Sequence, residues 1–504
     1  MKRDSYLEKI LTAKVYDVAI ESPLEAAPAI SRRTGNHILL KREDKQPVFS
    51  FKLRGAYNKM AHLKPAELAR GVICASAGNH AQGVALAAQK LGTQATVVMP
   101  VTTPRIKVTA VSVRGAKIEL HGDTYHEADL HARALARKHR LTFVHPYDDP
   151  LVIAGQGTIG LEILRQHPRS IDAIFVPVGG GGLIAGIAAY VKRIAPRTKV
   201  IGVEPVDSNA MQRSLAAGRR VTLAHVNLFA DGVAVRQVGR ETFRLCRELV
   251  DDMVLVDTDE ICAAIKDIFE DTRTVVEPAG ALALAGAKRW IESRRAKAKA
   301  IVAIVCGANM NFDRLRFVAE RAELGEHREA VLAVTIPERP GSFRALCALL
   351  GKRSVTEFNY RYSRGREAHV FLGVSVAGRD ETQRLVAHLQ HHGMRATDLS
   401  DNELAKLHVR HLVGGHAPEN GAEMLYRFEF PERPGALMNF LNHMGSGWNV
   451  SLFHYRNHGA DVGRVLVGLQ VPERERAAFR RFLRELAYDY SDETRNPAYR
   501  FFLR

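Results

Sequence analysis

The chain reads as an α/β region followed by two ferredoxin-like units, and three observations predict that order. Short β-rich runs alternate with helical ones from about residue 37 to about residue 312. Several of those strands, GVICAS, ATVVMP and AIFVPVG among them, lack polar alternation, as strands do when helices cover both faces of a parallel sheet. Beyond them the string PERPG occurs twice, from Pro337 and from Pro431, 94 residues apart.

Taken in order, HILLK precedes a helix that begins at Lys52, GVICAS precedes AQGVALAAQKLG, and ATVVMP precedes PRIKVTAVSVRG. KIELHG then leads to a helix around Ala128, TFVHP to GQGTIGLEILRQ, and AIFVPVG to GLIAGIAAYVKRIA before KVIGVEP. This is the βαβα order of parallel sheets. It ends with IVAIVCGANMNF, and the charged stretch RFVAERAELGEHREA reads as a connecting helix. Each PERPG follows an alternating strand, VLAVTI or LYRFEF, and precedes an apolar helix face. Two further strands, a second helix and an expected final strand complete a βαββα order of the ferredoxin-like kind. The matching flanks make this an internal repeat rather than a recurring turn. The expected domains are 1–325, 330–401 and 424–495.

At 504 residues the chain is too long for one core. Its net charge of +17 raises nucleic acid as a partner class. The basic residues are dispersed, however, and the densest clusters, Arg294 to Lys299 and Arg474 to Arg484, are mixed with acidic or apolar residues and read as solvated helix faces. No nucleic-acid partner is expected. Five cysteines, Cys74, Cys246, Cys262, Cys306 and Cys347, form no C-x-x-C pair and no zinc spacing, which points to free thiols, a reducing compartment and no metal. No apolar run approaches the roughly 20 residues of a membrane span. The opening MKRDSYLEKIL lacks a signal-type apolar core, so a cytoplasmic location is expected.

Three local signals carry chemistry. In SFKLRGA, Lys52 sits among small and apolar neighbours at a helix start, where lost hydration favours the neutral, nucleophilic amine. A lone lysine in such a place more often snorkels to solvent, so its partners decide. In Ser76-Ala77-Gly78-Asn79-His80, a strand runs into a helix through small residues whose free N–H groups suit a carboxylate. In Gly179-Gly180-Gly181-Gly182-Leu183, glycines at another strand-to-helix turn let the backbone approach a phosphate. It is neither a Walker A sequence nor a secure G-x-G-x-x-G turn. A reactive lysine, a carboxylate seat and a phosphate cradle are what pyridoxal phosphate requires.

On SFKLRGA, SAGNH and GGGGL in this order, the chain resembles the fold type II pyridoxal-phosphate enzymes, and among them the biosynthetic threonine ammonia-lyase family. The resemblance extends from Glu21-Ser22-Pro23-Leu24 to the repeat. It implies a catalytic region of two parallel-sheet α/β subdomains followed by two ACT-like regulatory domains. It implies further that Lys52 binds the cofactor as an imine and removes the α-proton of threonine. Asn79 would hydrogen-bond the 3'-hydroxyl, Gly179, Gly180, Gly181, Gly182 and Leu183 would hold the phosphate, and Ser76, Ala77, Gly78, Asn79 and His80 would seat the substrate carboxylate. Cys306 falls where the family places a side chain, commonly serine, against the pyridine nitrogen. Glu277, in EPAGA, matches a motif near the cofactor and is not expected to be catalytic.

The implied reaction is deamination of L-threonine to 2-oxobutanoate and ammonia, the first step of isoleucine biosynthesis. L-Serine should be processed too. The implied effectors are isoleucine, which inhibits, and valine, which opposes it, acting on a homotetramer. Ala77 stands where related serine racemases carry a proton-transferring serine, which argues against racemisation. The alternatives are a serine dehydratase or another β-eliminating enzyme of this fold, and a non-catalytic amino-acid sensor.

Overall fold

The structure, a computed structural model, describes residues 4–337, 342–351, 353, 355–360, 367–411, 423–431, 436–444, 448–456 and 462–503. The chain divides into two compact units, Met1–Ala322 and Glu323–Arg504.

The first unit holds ten strands among its described residues: β1 Leu24–Ala26, β2 His37–Arg42, β3 Val72–Ala75, β4 Ala95–Met99, β5 Lys117–Leu120, β6 Thr142–Phe143, β7 Ala173–Pro177, β8 Lys199–Pro205, β9 Asp252–Val256 and β10 Ala300–Val305. They form a six-stranded sheet in the order β1-β2-β10-β7-β8-β9 and a four-stranded sheet in the order β5-β4-β3-β6. Two α/β subdomains are therefore present, as expected. All pairings are parallel except β1 with β2. The link between those two strands is too short for a parallel crossover, so the chain doubles back. Strands β3 and β7 are buried at every position, which accounts for their unbroken apolar sequence.

The helix expected from Gly155 begins five residues earlier, at Pro150, and runs to Gln166. Asp149 is its N-cap, accepting from the Leu151 and Val152 N–H groups, with proline at the first helical position. This helix crosses Lys52–Met60 at close range. A Cβ on Gly55 would lie 2.8 Å from the Val152 carbonyl oxygen, and one on Gly155 2.7 Å from that of Arg54. Only glycines permit that approach.

Beneath the same crossing lies a buried ion cluster. The Arg54 Nε and Nη2 each donate to Glu43 at 2.8 Å, Nη1 donates to Glu162 at 2.6 Å and to Thr158 at 3.1 Å, and Nη2 also reaches the Ile20 carbonyl at 3.1 Å. Lys41 Nζ donates to Glu162 at 2.7 Å and to the Ser22 carbonyl at 2.6 Å. The Tyr16 hydroxyl donates to Glu162 at 2.8 Å. Lys41, Glu43, Arg54 and Glu162 are all fully buried, two charges of each sign. Burial alone would push the Glu43 carboxyl up, but the Arg54 guanidinium outweighs it and holds the group below its usual range.

The second unit contains the repeat. Its strands are β11 Glu329–Pro337, β12 Val355–Tyr360, β13 Glu367–Ser375, β14 Arg395–Asp398, β15 Glu423–Pro431, β16 Asn449–Arg456, β17 Val462–Gln470 and β18 Asp489–Asp492. The sheets have matching orders, β12-β13-β11-β14 and β16-β17-β15-β18, wholly antiparallel. Each carries a bulge at the start of its edge strand, between Val355 and Glu357 and between Val450 and Leu452. Pro337 and Pro431 end equivalent strands, while the remainder of each PERPG turn lies outside the described residues.

The two sheets share a core in which Val331, Ala333 and Phe371 of one meet Leu425 and Leu466 of the other. The equivalence continues past the last strand of each copy. Ser400 Oγ accepts from the Val331 N–H, as Thr494 Oγ1 does from that of Leu425. Asn402 and Asn496, themselves 94 residues apart, each accept a backbone N–H at a helix start. The Asn402 amide also donates to Asn496 Oδ1 at 3.1 Å. Equivalent residues in mutual contact mark a local two-fold axis.

Replacing Arg54 by methionine would leave Glu43 and Glu162 facing one lysine in a dry interior. We expect Arg54→Met to lower stability by about 3–5 kcal/mol, seen as an earlier thermal unfolding of the full chain.

Candidate active site

Lys52 opens the helix Lys52–Met60, and the residues before it are fastened to the end of β10 by backbone bonds. The Phe51 N–H donates to the Cys306 carbonyl at 3.2 Å, the Ala308 N–H donates to that of Phe49 at 2.9 Å, and Ser50 bridges Gly307. Lys52 and Cys306, 254 positions apart in sequence, are thus held by one seam of main chain. The Lys52 amine makes no ion pair among the described residues. Burial pulls its pKa down, against the opposing pull of Cys306 and Glu277. The Cys306 thiol donates to the Ala279 carbonyl at 3.2 Å. Burial, reinforced by Glu277, pushes it well above the usual thiol range, so it is neutral.

The segment Ser76 to His80 leads from β3 into the helix Asn79–Leu91. That helix lies against the Lys52 turn, where a Cβ on Gly83 would meet Leu53 Cα at 3.0 Å. The first three N–H groups of the helix, from Asn79, His80 and Ala81, have no intrahelical acceptor. The Gly78 N–H turns back to Ser76 Oγ at 3.2 Å. The His80 imidazole points away from the loop, with Nε2 donating to the Val144 carbonyl at 2.8 Å. Burial and the nearby Lys52 push its pKa down to about 3, so it is neutral and offers the loop only its backbone.

Asn79 turns the other way. Its Nδ2 donates to Glu277 Oε1 at 2.7 Å and its Oδ1 accepts from Asn309 Nδ2 at 2.7 Å. Burial, with Asp231 adding to it, pushes the Glu277 carboxyl up to about 7. Glu277 is the N-cap residue of the helix Pro278–Arg294, yet its side chain caps nothing. It reaches across instead, into space that a side chain at Gly307 would occupy.

The glycine loop lies between β7 and the helix Gly182–Ile194. Gly181 has φ +95, a conformation that favours glycine, and a Cβ on Gly180 would collide with the Tyr147 ring. The Tyr147 hydroxyl donates to the Gln237 carbonyl at 3.2 Å, and the Thr242 hydroxyl donates to the Gly180 carbonyl at 2.6 Å. The helix presents the N–H groups of Gly182, Leu183 and Ile184 to the loop's concavity, the arrangement that binds phosphate. The loop is tied to the rest of the site through Gly179, which packs on the Val233 backbone, and Gly232, whose Cβ would lie 3.6 Å from Glu277 Oε1.

Lys52, Cys306, Glu277 and Asn79 are therefore brought together by main-chain and side-chain bonds, and the glycine loop adjoins them through Gly179 and Gly232. These residues fit pyridoxal phosphate. A half-buried amine with no ion pair among the described residues suits an imine, the N–H groups at Gly182 suit its phosphate, and the buried Ser50 hydroxyl has no partner among the described residues. Among the described residues no group of side chains could hold a metal ion. Tyr147 and Asn309 escaped the sequence reading, since no local pattern marks a residue whose partners lie in remote segments. So did the pair of Lys107 Nζ with Asp231 Oδ2 at 2.5 Å, which joins the four-stranded subdomain to the loop beside Glu277.

Two outcomes follow from this geometry. Gly180→Ala should displace Tyr147 and release the cofactor, reducing its retention on gel filtration at least tenfold, on the order of one lost charge-assisted hydrogen bond. For His80, the folded pKa lies below the unfolded value near 6.5, so the unfolded chain alone takes up a proton on acidification. Its contribution is present above that value and is lost as pH falls toward 3, by about 1.4 kcal/mol per pH unit. Melting curves of His80→Gln should show a shallower acid slope than the parent.

The family described as pyridoxal-phosphate dependent enzyme matches residues 15–307. The C-terminal regulatory domain of threonine dehydratase matches twice, over residues 320–409 and 414–503. The chain is 59% identical over 506 residues to the biosynthetic L-threonine dehydratase of Burkholderia multivorans, covering 100% of both. It is 53% identical to that of Escherichia coli, over 99% of this chain and 97% of the other. Among solved structures, the processed form of threonine deaminase isoform 2 from Solanum lycopersicum aligns with a TM-score of 0.63 and 56% identity, over 64% of this chain and 88% of that one. Maize serine racemase aligns with a TM-score of 0.59 and 33% identity, over 62% and 96%. With one enzyme model matched over residues 15–307, a regulatory model matched twice beyond it and 59% identity to a biosynthetic threonine dehydratase along the whole length, the chain belongs to the biosynthetic threonine dehydratase family of pyridoxal-phosphate dependent enzymes.

Proposed function

We propose that the chain deaminates L-threonine to 2-oxobutanoate and ammonia, the entry reaction of isoleucine biosynthesis. The observation that carries this reading is the half-buried Lys52, which makes no ion pair among the described residues and is fastened to Cys306 through the backbone. The bound cofactor supplies electron withdrawal from the substrate α-carbon. Lys52 would anchor it, and its amine would remove the α-proton of the substrate, for which a depressed pKa is an asset. The N–H groups around Ser76, Ala77, Gly78, Asn79 and His80 seat the substrate carboxylate and so aim the α-hydrogen at Lys52. Gly179, Gly180, Gly181, Gly182 and Leu183 hold the phosphate, Cys306 faces the pyridine nitrogen, and Asn79 faces the 3'-oxygen.

Cys306 is neutral and donates an S–H hydrogen bond to the Ala279 carbonyl, so no carboxylate at this position charges the ring nitrogen. Such a site favours loss of the β-hydroxyl over a long-lived carbanion. At Ala77 a methyl group cannot transfer a proton, which supports elimination rather than racemisation despite the likeness to a serine racemase. L-Serine differs from threonine by one methyl group, worth roughly 1–3 kcal/mol in such a pocket, and is a second substrate in this reading.

The duplicated second unit supports regulation by branched-chain amino acids, isoleucine inhibiting and valine opposing, in a homotetramer. Free thiols at all five cysteines support a reducing, cytoplasmic setting, and among the described residues no helix is long and apolar enough to cross a membrane. Purified full-length protein should release 2-oxobutanoate from L-threonine, isoleucine should suppress that release, and Lys52→Ala should abolish it together with the visible band of bound cofactor. Bound cofactor without turnover of threonine would redirect the reading to serine and other β-substituted amino acids.

A further inference from the structure

The Asn79 amide is locked from two sides. Asn309 Nδ2 donates to the Val48 carbonyl at 2.8 Å as well as to Asn79 Oδ1 at 2.7 Å. A main-chain carbonyl only accepts, so the atom of Asn309 facing it must be the nitrogen. That nitrogen only donates, so the atom of Asn79 facing it must be the oxygen. The Asn79 nitrogen is thereby turned to Glu277 Oε1, 2.7 Å away, where a carboxylate accepts it. Of the two hydrogens on that nitrogen, one is committed to Glu277 and one remains. The lock is built into the fold. Val48 and Asn309 belong to the two segments of the Lys52 seam, and Glu277 is bound to the second of them by its N–H on the Gly307 carbonyl at 3.2 Å.

We propose that Glu277 and Asn309 are positioning residues that fix the Asn79 amide so that its remaining N–H is donated to the cofactor's 3'-oxygen, holding that oxygen in its ionised form. This rests on the reading of Asn79 as the neighbour of the 3'-oxygen. A donor aimed at the oxygen stabilises the anion over the hydroxyl. The Glu277 oxygen that accepts on the far side of the same nitrogen polarises it and strengthens the donation. An amide free to flip would present its oxygen and favour the neutral hydroxyl instead.

The test uses full-length protein reconstituted with pyridoxal phosphate, read by its absorption spectrum and by cofactor affinity from titration of the cofactor-free protein. The variants are Glu277→Gln, Asn309→Asp, Asn79→Ala and Lys52→Ala. Asn309→Asp sets an acceptor against Asn79 Oδ1 and forces the flip, giving a second route should Glu277→Gln fold poorly. We expect both positioning variants to move the visible band to shorter wavelength, as Asn79→Ala does, and to weaken cofactor binding roughly tenfold. The melting temperature of cofactor-free Glu277→Gln should stay unchanged, which a purely structural role would not allow. A band moved by Asn79→Ala but by neither positioning variant would overturn the proposal. A band that Asn79→Ala leaves in place while Lys52→Ala removes it would overturn the proposal through the reading of Asn79 beneath it.

Discussion

Two carboxylates, Glu43 and Glu162, share one guanidinium, and the placement of Lys52 descends from that sharing. Arg54 stands two residues beyond Lys52 on the same helix, and its side chain is bound to both acids and to the Ile20 carbonyl. Glu162 comes from the helix Pro150–Gln166 and Glu43 from the turn after β2. Four stretches of the first unit therefore meet at one cation. Hydrophobic packing would tolerate small slides of one helix along another, whereas a guanidinium saturated by fixed acceptors does not. Buried ion clusters are weak evidence of net stability, because removing the charges from water offsets their attraction. Their use here is geometric: the end of the helix that needs precision is pinned.

The same division between local and remote explains what could be read from the sequence. SFKLRGA, SAGNH and the glycine loop were legible because each is a short contiguous string whose chemistry depends on its own backbone. Strands β3, β4, β7, β8 and β10 were legible because strands buried on both faces have an unmistakable composition, whereas β9, half-buried along most of its length, went unread. The reversed β1 was not, since its direction depends on the length of the link that follows rather than on its residues. The early start of the Pro150 helix was signalled by Asp149 and Pro150, but the apolar pattern that drew the reading begins later. Asn309 and Tyr147 became meaningful only through partners 230 and 90 positions away in the chain, Asn79 and Gln237. Arg54 lies within SFKLRGA, yet its acceptors are scattered over more than a hundred residues.

Electrostatics in the site follow from dryness more than from charge. The neighbours of Lys52 include a neutral thiol, a carboxyl raised to about 7 and an imidazole lowered to about 3. Each is displaced toward its uncharged form by burial. The protein thereby keeps the surroundings of the amine nearly neutral without placing an opposite charge beside it, which would fix the amine as an ammonium and end its usefulness as a nucleophile.

The contact of Asn402 with Asn496 has a bearing on how the second unit could change over time. A module that meets its own copy across a two-fold axis would, as separate chains, be a homodimer, in which any substitution appears on both sides at once. Joined in one chain, the halves are free to differ, and they have. Glu329 pairs with Arg410, while its counterpart Glu423 accepts from Tyr499, a position occupied in the first copy by Ala405. The two copies are thus unequal halves, each able to carry its own ligand preference without disturbing the seam that holds them together.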